Sequence, residues 1–123
     1  MDLKKYLDEK KNIVDSALER YFPKEGGPSS SLTRAIRHSL FAGGKRIRPI
    51  FSMASFEAVG GKGDRILPLA CALEVIHTYS LIHDDLPSID NDDFRRCKPT
   101  CHKVFGEGVA LLAAVAGLLA VFK

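Results

Sequence analysis

Apolar residues recur along this chain at steps of three and four, and no stretch alternates apolar and polar residues as a half-buried strand would. Leu3, Leu7, Val14 and Leu18 mark the first such segment, with lysines and acids between them. That spacing places apolar side chains on one face of a helix. The periodicity therefore predicts an all-α fold.

Glycines and prolines divide the chain into five predicted helices. The breaks fall at Pro23 with Gly26 to Pro28, at Gly43-Gly44, at Gly60-Gly61, and from Pro87 to Pro99. Ser29 to Ser31 offer N-caps for the second helix, and Pro49 is well placed at the first position of the third. Asp64 is a candidate cap for the fourth helix, and the last helix begins near Glu107.

The composition is typical of a soluble globular protein, with 46% hydrophobic and 27% charged residues. Its 123 residues are enough for one compact domain with a modest core. The net charge is only +3, and the basic residues form no long run. Binding to nucleic acid is therefore not predicted.

Two features bear on the compartment. The segment Met1 to Asn12 is charged and lacks the apolar stretch of an export signal, and three cysteines are an odd set that suits a reducing cytoplasm. The apolar run Val109 to Phe122 has 14 residues, fewer than the ~20 that cross a bilayer. We therefore predict a cytoplasmic protein without a membrane span, in which this run is a buried helix.

Five aspartates fall within ten residues at the predicted end of an apolar helix: Asp84, Asp85, Asp90, Asp92 and Asp93. Carboxylates repel each other, and a helix C-terminus carries negative partial charge. The cluster therefore predicts a compensating cation, and oxygen ligands without interleaved thiols favour Mg²⁺ or Ca²⁺. A solvated acidic loop is the alternative, and the spacing does not fit a calcium-binding helix–loop–helix.

Basic residues near the aspartates indicate a diphosphate ligand. Arg95 and Arg96 follow within a few positions, and guanidinium groups bind phosphate oxygens through paired hydrogen bonds. Mg²⁺ takes most of its ligands from water and substrate phosphate, so it can join an acidic cluster to an anion. His77 precedes Asp84 by two helical turns and shares its face, although a hydrogen-bonded core histidine is the alternative. The segment Cys97 to His102 supplies too few ligands for zinc.

Three blocks of this sequence resemble segments of the trans-polyprenyl diphosphate synthases. Gly43 to Pro49 resembles that family's Gly-Gly-Lys-Arg-x-Arg-Pro segment, and Glu74 to Asp85 resembles the helix that leads into its first aspartate-rich motif. Asp90 to Arg96, with Pro99-Thr100 and Phe105-Gly106, resembles the loop that follows. The resemblance covers essentially the whole chain, as the front part of a full-length member.

The resemblance implies an antiparallel helical bundle of the isoprenoid synthase type. Residues 1–123 would be the N-terminal part of one polyprenyl synthase domain, without its C-terminal part. The implied reaction is a Mg²⁺-dependent condensation of isopentenyl diphosphate with an allylic diphosphate, in which the allylic diphosphate leaves and a chain one isoprene unit longer forms. The implied assembly is a homodimer.

The resemblance also assigns roles to individual residues. The group that would bind the diphosphate of isopentenyl diphosphate comprises Lys45, Arg48, His77 and Arg96. The group that would coordinate Mg²⁺, or support it, comprises Asp84, Asp90 and Asp85, and Arg95 would contact the allylic diphosphate. Lys45 and Arg48 precede or open a predicted helix, where phosphate binds favourably, although Lys45 and Arg46 could also be ordinary surface charges.

Product length is predicted from Tyr79, which lies five residues before Asp84. A bulky ring there would form the floor of the cavity that holds the growing chain, which favours farnesyl diphosphate as the product. Geranylgeranyl diphosphate is the alternative. A packed core aromatic is the other interpretation of Tyr79.

The family's second aspartate-rich motif does not occur in these 123 residues. Ala114-Val115 also stands where the family has Gly-Asp, and Cys97 where it usually has Gly. We therefore expect the isolated chain to be inactive. The alternative function is that of a catalytically inactive helical module that binds a partner or a metal–diphosphate.

Overall fold

The computed structural model describes residues 1–24 and 30–122 of the chain. The helices in these ranges are α1 (Leu3–Tyr21), α2 (Ser30–Leu40), α3 (Ile47–Ala58), α4 (Leu67–Asp85), α5 (Cys101–Phe105) and α6 (Glu107–Ala120). The strands β1 (Phe94–Arg95) and β2 (Lys98–Pro99) form a short antiparallel hairpin. The prediction of an all-α fold is confirmed, and the hairpin and α5 are additions that the periodicity did not predict.

Two helix starts differ from the prediction. The third helix begins at Ile47 because Arg46, with φ 54°, is its N-cap, so Pro49 is the third helical residue. Pro49 still lies in the first turn, where backbone N–H groups have no partner within the helix. Asp64 opens a single 3₁₀ turn, Asp64–Ile66, ahead of α4. The second helix already includes Ser30, and the predicted break at Gly26 to Pro28 and cap at Ser29 lie outside the described residues.

The described chain forms two compact units. The first comprises Met1–Pro23 and Lys45–Glu74. In this unit α1 packs against α3. The helical face predicted from the steps of three and four supplies its core, and the buried side chains include Val14, Leu18, Ile50 and Met53.

The second unit comprises Lys24–Gly44 and Val75–Lys123, and in it α2 and α5 pack against α6. The face of α6 that is buried carries only small residues, namely Ala110, Ala113, Ala114 and Gly117. The large side chains Leu112 and Leu119 are exposed by 58% and 61%. The prediction of a buried helix is thus wrong for half of α6, because close packing against α2 and α5 selects its small residues.

Length and apolarity alone would allow the segment Asp64–Asp85 to cross a membrane. Core helices of globular proteins can be equally long and apolar. In the described structure, 39% of the 18-residue apolar window in this segment is buried. The shorter apolar helix Glu107–Ala120 does not reach that length.

Candidate functional site

A tight loop after α4 brings the backbone of Asp90 back to that of Asp84, the penultimate residue of the helix. The backbone N–H of Asp90 donates to the carbonyl of Asp84 at 2.8 Å, and the N–H groups of Ile89 and Asn91 both donate to the Leu86 carbonyl. The chain therefore folds back on the helix end just after Pro87, and both carboxylates are exposed to solvent. These are the two predicted metal ligands that the structure leaves accessible.

Asp85 lies on the other side of the helix and is 3% exposed. Its two oxygens accept hydrogen bonds from Nε and Nη2 of Arg95, each at 2.8 Å. This two-point contact is the strongest geometry available to an Arg–carboxylate pair. It raises the pKa of Arg95 above its ordinary value, chiefly through the hydrogen bonds to Asp85. Asp85 is one of the three aspartates predicted at the metal. In this structure its carboxylate instead orients Arg95.

The β1–β2 hairpin presents Arg96 at its turn. Arg96 and Cys97 have φ of 51° and 61°, the left-handed values of a two-residue hairpin turn. The Nη1 group of Arg96 donates to the carbonyl of Gly43. This hydrogen bond joins Gly43 to Arg96 within the second unit.

Thr100 closes the loop that carries the aspartates. Its side chain is buried, and its Oγ1 donates to the carbonyl of Asp92 at 2.8 Å, while its backbone N–H donates to the carbonyl of Asp93 at 2.9 Å. Sequence reasoning gave this threonine no role. Its position directly before α5, at the N-cap, was the available signal.

The predicted isopentenyl diphosphate residues are divided between the two units. Lys45 and Arg48 are exposed and belong to the first unit. Lys45 precedes α3, and Arg48 is the second residue of that helix. His77 is half-buried on α4 in the second unit, together with Arg96. Tyr79 is also half-buried, and its ring centroid lies 5.9 Å from that of His83.

Arg46 is not a surface charge, which corrects one of the two interpretations of this position. It is 4% exposed and forms two ion pairs within the first unit, with Asp15 at 2.8 Å and with Glu74 at 2.9 Å. Because Arg46 points inward, the neighbouring Lys45 and Arg48 lie on the solvent side of the same turn. Arg46 therefore stabilises the fold of the first unit, whereas Lys45 and Arg48 are accessible to a ligand.

A closed metal site is not formed by the residues that the structure describes. No three carboxylate, imidazole or thiol groups in residues 1–24 and 30–122 converge on one point. Cys97 is exposed and Cys101 buried, and burial raises the pKa of the Cys101 thiol. A cation that takes only one or two carboxylates and completes its shell with water and phosphate does not need such a convergent set.

We expect Cys97→Gly to raise the free energy of unfolding by about 0.5–1 kcal/mol. A left-handed conformation costs a non-glycine residue about 1–2 kcal/mol, and the greater freedom of glycine in the unfolded chain offsets part of that gain. Urea denaturation of the two proteins measures the difference. Cys97→Ala removes the thiol but keeps the unfavourable φ, so an equal gain from Cys97→Ala would contradict the explanation.

Comparisons with known proteins identify the family of the chain. A family model described as polyprenyl synthetase matches residues 29–123. The farnesyl diphosphate synthase of Geobacillus stearothermophilus is 54% identical over 113 residues, which are 92% of this chain and 38% of that protein. The geranylgeranyl diphosphate synthase of Cyanophora paradoxa is 52% identical over 118 residues, which are 96% of this chain and 39% of that protein.

Solved structures share the fold. The crystal structure of a geranyltransferase from Legionella pneumophila matches with a TM-score of 0.91 and 38% sequence identity, over 96% of this chain and 41% of that chain. This chain therefore spans about two fifths of the length of these three relatives.

Proposed function

The chain belongs to the polyprenyl synthetase family, and from this premise we propose that it carries part of the active site of a trans-prenyl diphosphate synthase. The reaction would join isopentenyl diphosphate to an allylic diphosphate. The observation that carries the proposal is the C-terminal end of α4 with the loop that follows it, where the exposed carboxylates of Asp84 and Asp90 accompany the aspartate–arginine pair. Such a site suits an anion that is bound through a cation.

The donor set fits Mg²⁺. Asp84 and Asp90 would hold the ion, because both carboxylates are exposed and a backbone hydrogen bond joins the two residues. When bound, the ion would neutralise the charge that develops on a leaving diphosphate. Asp85 would act indirectly, since its oxygens are engaged by Arg95.

The basic residues would bind and orient the two substrates. Arg95, fixed by Asp85, would present its remaining guanidinium edge to the allylic diphosphate. Lys45 and Arg48 would bind the diphosphate of isopentenyl diphosphate at the start of α3, where the helix N-terminus favours an anion. His77 and Arg96 are proposed for the same diphosphate.

We expect geranyl diphosphate to bind this protein only when Mg²⁺ is present. Without the ion, the aspartates at the end of α4 repel the ligand. Isothermal titration calorimetry in Mg²⁺ and in chelator measures this directly. Asp84→Asn should abolish the Mg²⁺-dependent heat, whereas Asp92→Asn removes the same charge from the same loop and should retain it. Tight binding in chelator that survives Asp84→Asn would overturn the proposed site.

We propose farnesyl diphosphate as the product, with geranylgeranyl diphosphate as the alternative. Similar identities to a farnesyl and a geranylgeranyl diphosphate synthase support either length. The farnesyl assignment rests on Tyr79, whose half-buried ring lies one helical turn before His83 on α4. A ring at this place would limit the growing chain.

Tyr79→Ala should lengthen the product of an active enzyme that carries this sequence. Removal of the ring would open the floor of the cavity, so chains longer than farnesyl should accumulate. Chromatography of labelled products after isopentenyl transfer resolves their lengths. Tyr21→Ala, at the exposed end of α1, is the matched control. An unchanged product in Tyr79→Ala would remove Tyr79 as the determinant of length.

The same transfer assay separates the two functional classes. Turnover would support the synthase, and Mg²⁺-dependent binding without turnover would support the inactive binding module.

The assignment of residues 1–123 to one domain, the homodimer and the cytoplasmic location stay predictions.

A further inference from the structure

Gly43 and Gly44, which precede Lys45, differ in their surroundings. Both have positive φ, 110° at Gly43 and 134° at Gly44, so any side chain at either position costs backbone strain. A Cβ on Gly43 would meet nothing within 4 Å. A Cβ on Gly44 would lie 2.8 Å from Nη1 of Arg96, 3.1 Å from its Cζ and 3.2 Å from its Nη2.

The guanidinium of Arg96 therefore occupies the space that a side chain on Gly44 would fill. Its Nη1 group donates to the carbonyl of Gly43, the preceding residue. Arg96 itself stands in the left-handed turn of the hairpin, where its backbone is held by the pairing of β1 with β2. The guanidinium thus lies against the backbone of the two glycines, although Arg96 as a whole is exposed.

We propose that Gly44 is a positioning residue that acts through Arg96. The absence of its side chain lets the guanidinium approach the backbone and hydrogen-bond to Gly43. The consequence for ligand binding rests on the proposed function, in which Arg96 binds a diphosphate. The contact between Gly44 and Arg96 is independent of that assignment.

Gly44→Ala should displace the guanidinium and weaken diphosphate binding. Its control is Gly43→Ala, which carries a comparable backbone cost but no collision. We expect the dissociation constant for isopentenyl diphosphate to be about threefold or more higher in Gly44→Ala than in Gly43→Ala. The increase should stay below the loss of a full charge-assisted hydrogen bond, because the end of a flexible side chain can shift at low cost. In an Arg96→Ala background the difference between the two alanine variants should disappear.

Two readouts test this on the whole 123-residue chain. The first is the ¹H–¹⁵N resonance of the Arg96 Nε–H group, recorded without ligand and assigned by its loss in Arg96→Lys. It should shift in Gly44→Ala and stay near its original position in Gly43→Ala. The second is calorimetry with isopentenyl diphosphate for Gly43→Ala, for Gly44→Ala and for the two double variants that also carry Arg96→Ala.

The outcomes are distinguishable. Equal Arg96 resonances in the two glycine variants, or a Gly44→Ala penalty that persists without Arg96, would overturn the positioning role. Absence of any diphosphate binding by the unsubstituted chain would overturn the proposed function, while the resonance would still decide the role of Gly44. A thermal melt of each variant separates loss of folding from loss of position. Gly44→Asn provides a second test of the collision if Gly44→Ala does not fold, because asparagine tolerates positive φ better than alanine.

Discussion

Arg46→Ala should lower the free energy of unfolding by about 3–5 kcal/mol, the usual cost of removing one partner from a buried ion pair. The side chain of Glu74 is 3% exposed and accepts a hydrogen bond from Nη1 of Arg46 at 2.9 Å. Loss of the arginine leaves this carboxylate buried without its cation. Asp15 loses its bond to Nε as well, although its 29% exposure lets water replace part of that contact.

Urea denaturation followed by circular dichroism measures the loss. Lys45→Ala removes the same charge from the adjacent, exposed position and should change stability by less than about 0.5 kcal/mol. Replacing both partners, as Arg46→Leu with Glu74→Leu, should recover much of the loss, because no charge is then buried. Equal stabilities for Arg46→Ala and Lys45→Ala would show that the ion pair is not structural.

Asp84→Ala should reduce kcat/KM by about 10²–10³-fold or more in an active enzyme that carries this sequence. Loss of one group that stabilises transition-state charge has an effect of about this size. Asp84 holds this role in the proposal because its carboxylate is exposed at the end of α4 and its backbone carbonyl accepts a hydrogen bond from Asp90. The substitution should lower kcat as well as raise KM, since the charge on the leaving group is greatest in the transition state.

Steady-state kinetics at several Mg²⁺ concentrations test this expectation. Asp93→Ala is the matched control, because Asp93 is an exposed aspartate of the same loop whose partner is the equally accessible Lys103, at 3.0 Å. It should keep kcat/KM within a few-fold, since exposed ion pairs contribute little. Comparable losses in Asp84→Ala and Asp93→Ala would mean that the loop acts through its total charge and that Asp84 has no special role.

Much of this protein could be predicted from the sequence, because the signals are local. The steps of three and four predicted the faces that bury Val14 and Leu18, and Pro87 predicted the end of α4 at Asp85. The aspartate cluster and the arginines that follow it are adjacent in the chain, so their chemistry could also be recognised before any fold was known.

The tertiary structure alone decided which charges face solvent and which face inward. Arg46 looks like its neighbours Lys45 and Arg48, but its partners Asp15 and Glu74 are 31 and 28 residues away in the chain. Asp84 and Asp85 likewise cannot be distinguished from their sequence. They differ in the folded chain, because the hairpin places Arg95 against Asp85.

The same holds for the apolar residues and the glycines. In α6 both the small and the large residues are apolar, and only the close approach of α2 and α5 determines that the small face is buried. Gly43 and Gly44 are identical in sequence, and only the position of Arg96, 53 residues beyond Gly43, distinguishes them. Periodicity and composition report the preferences of a segment for helix or turn. The partners of a side chain depend on distant segments that the folded backbone brings together.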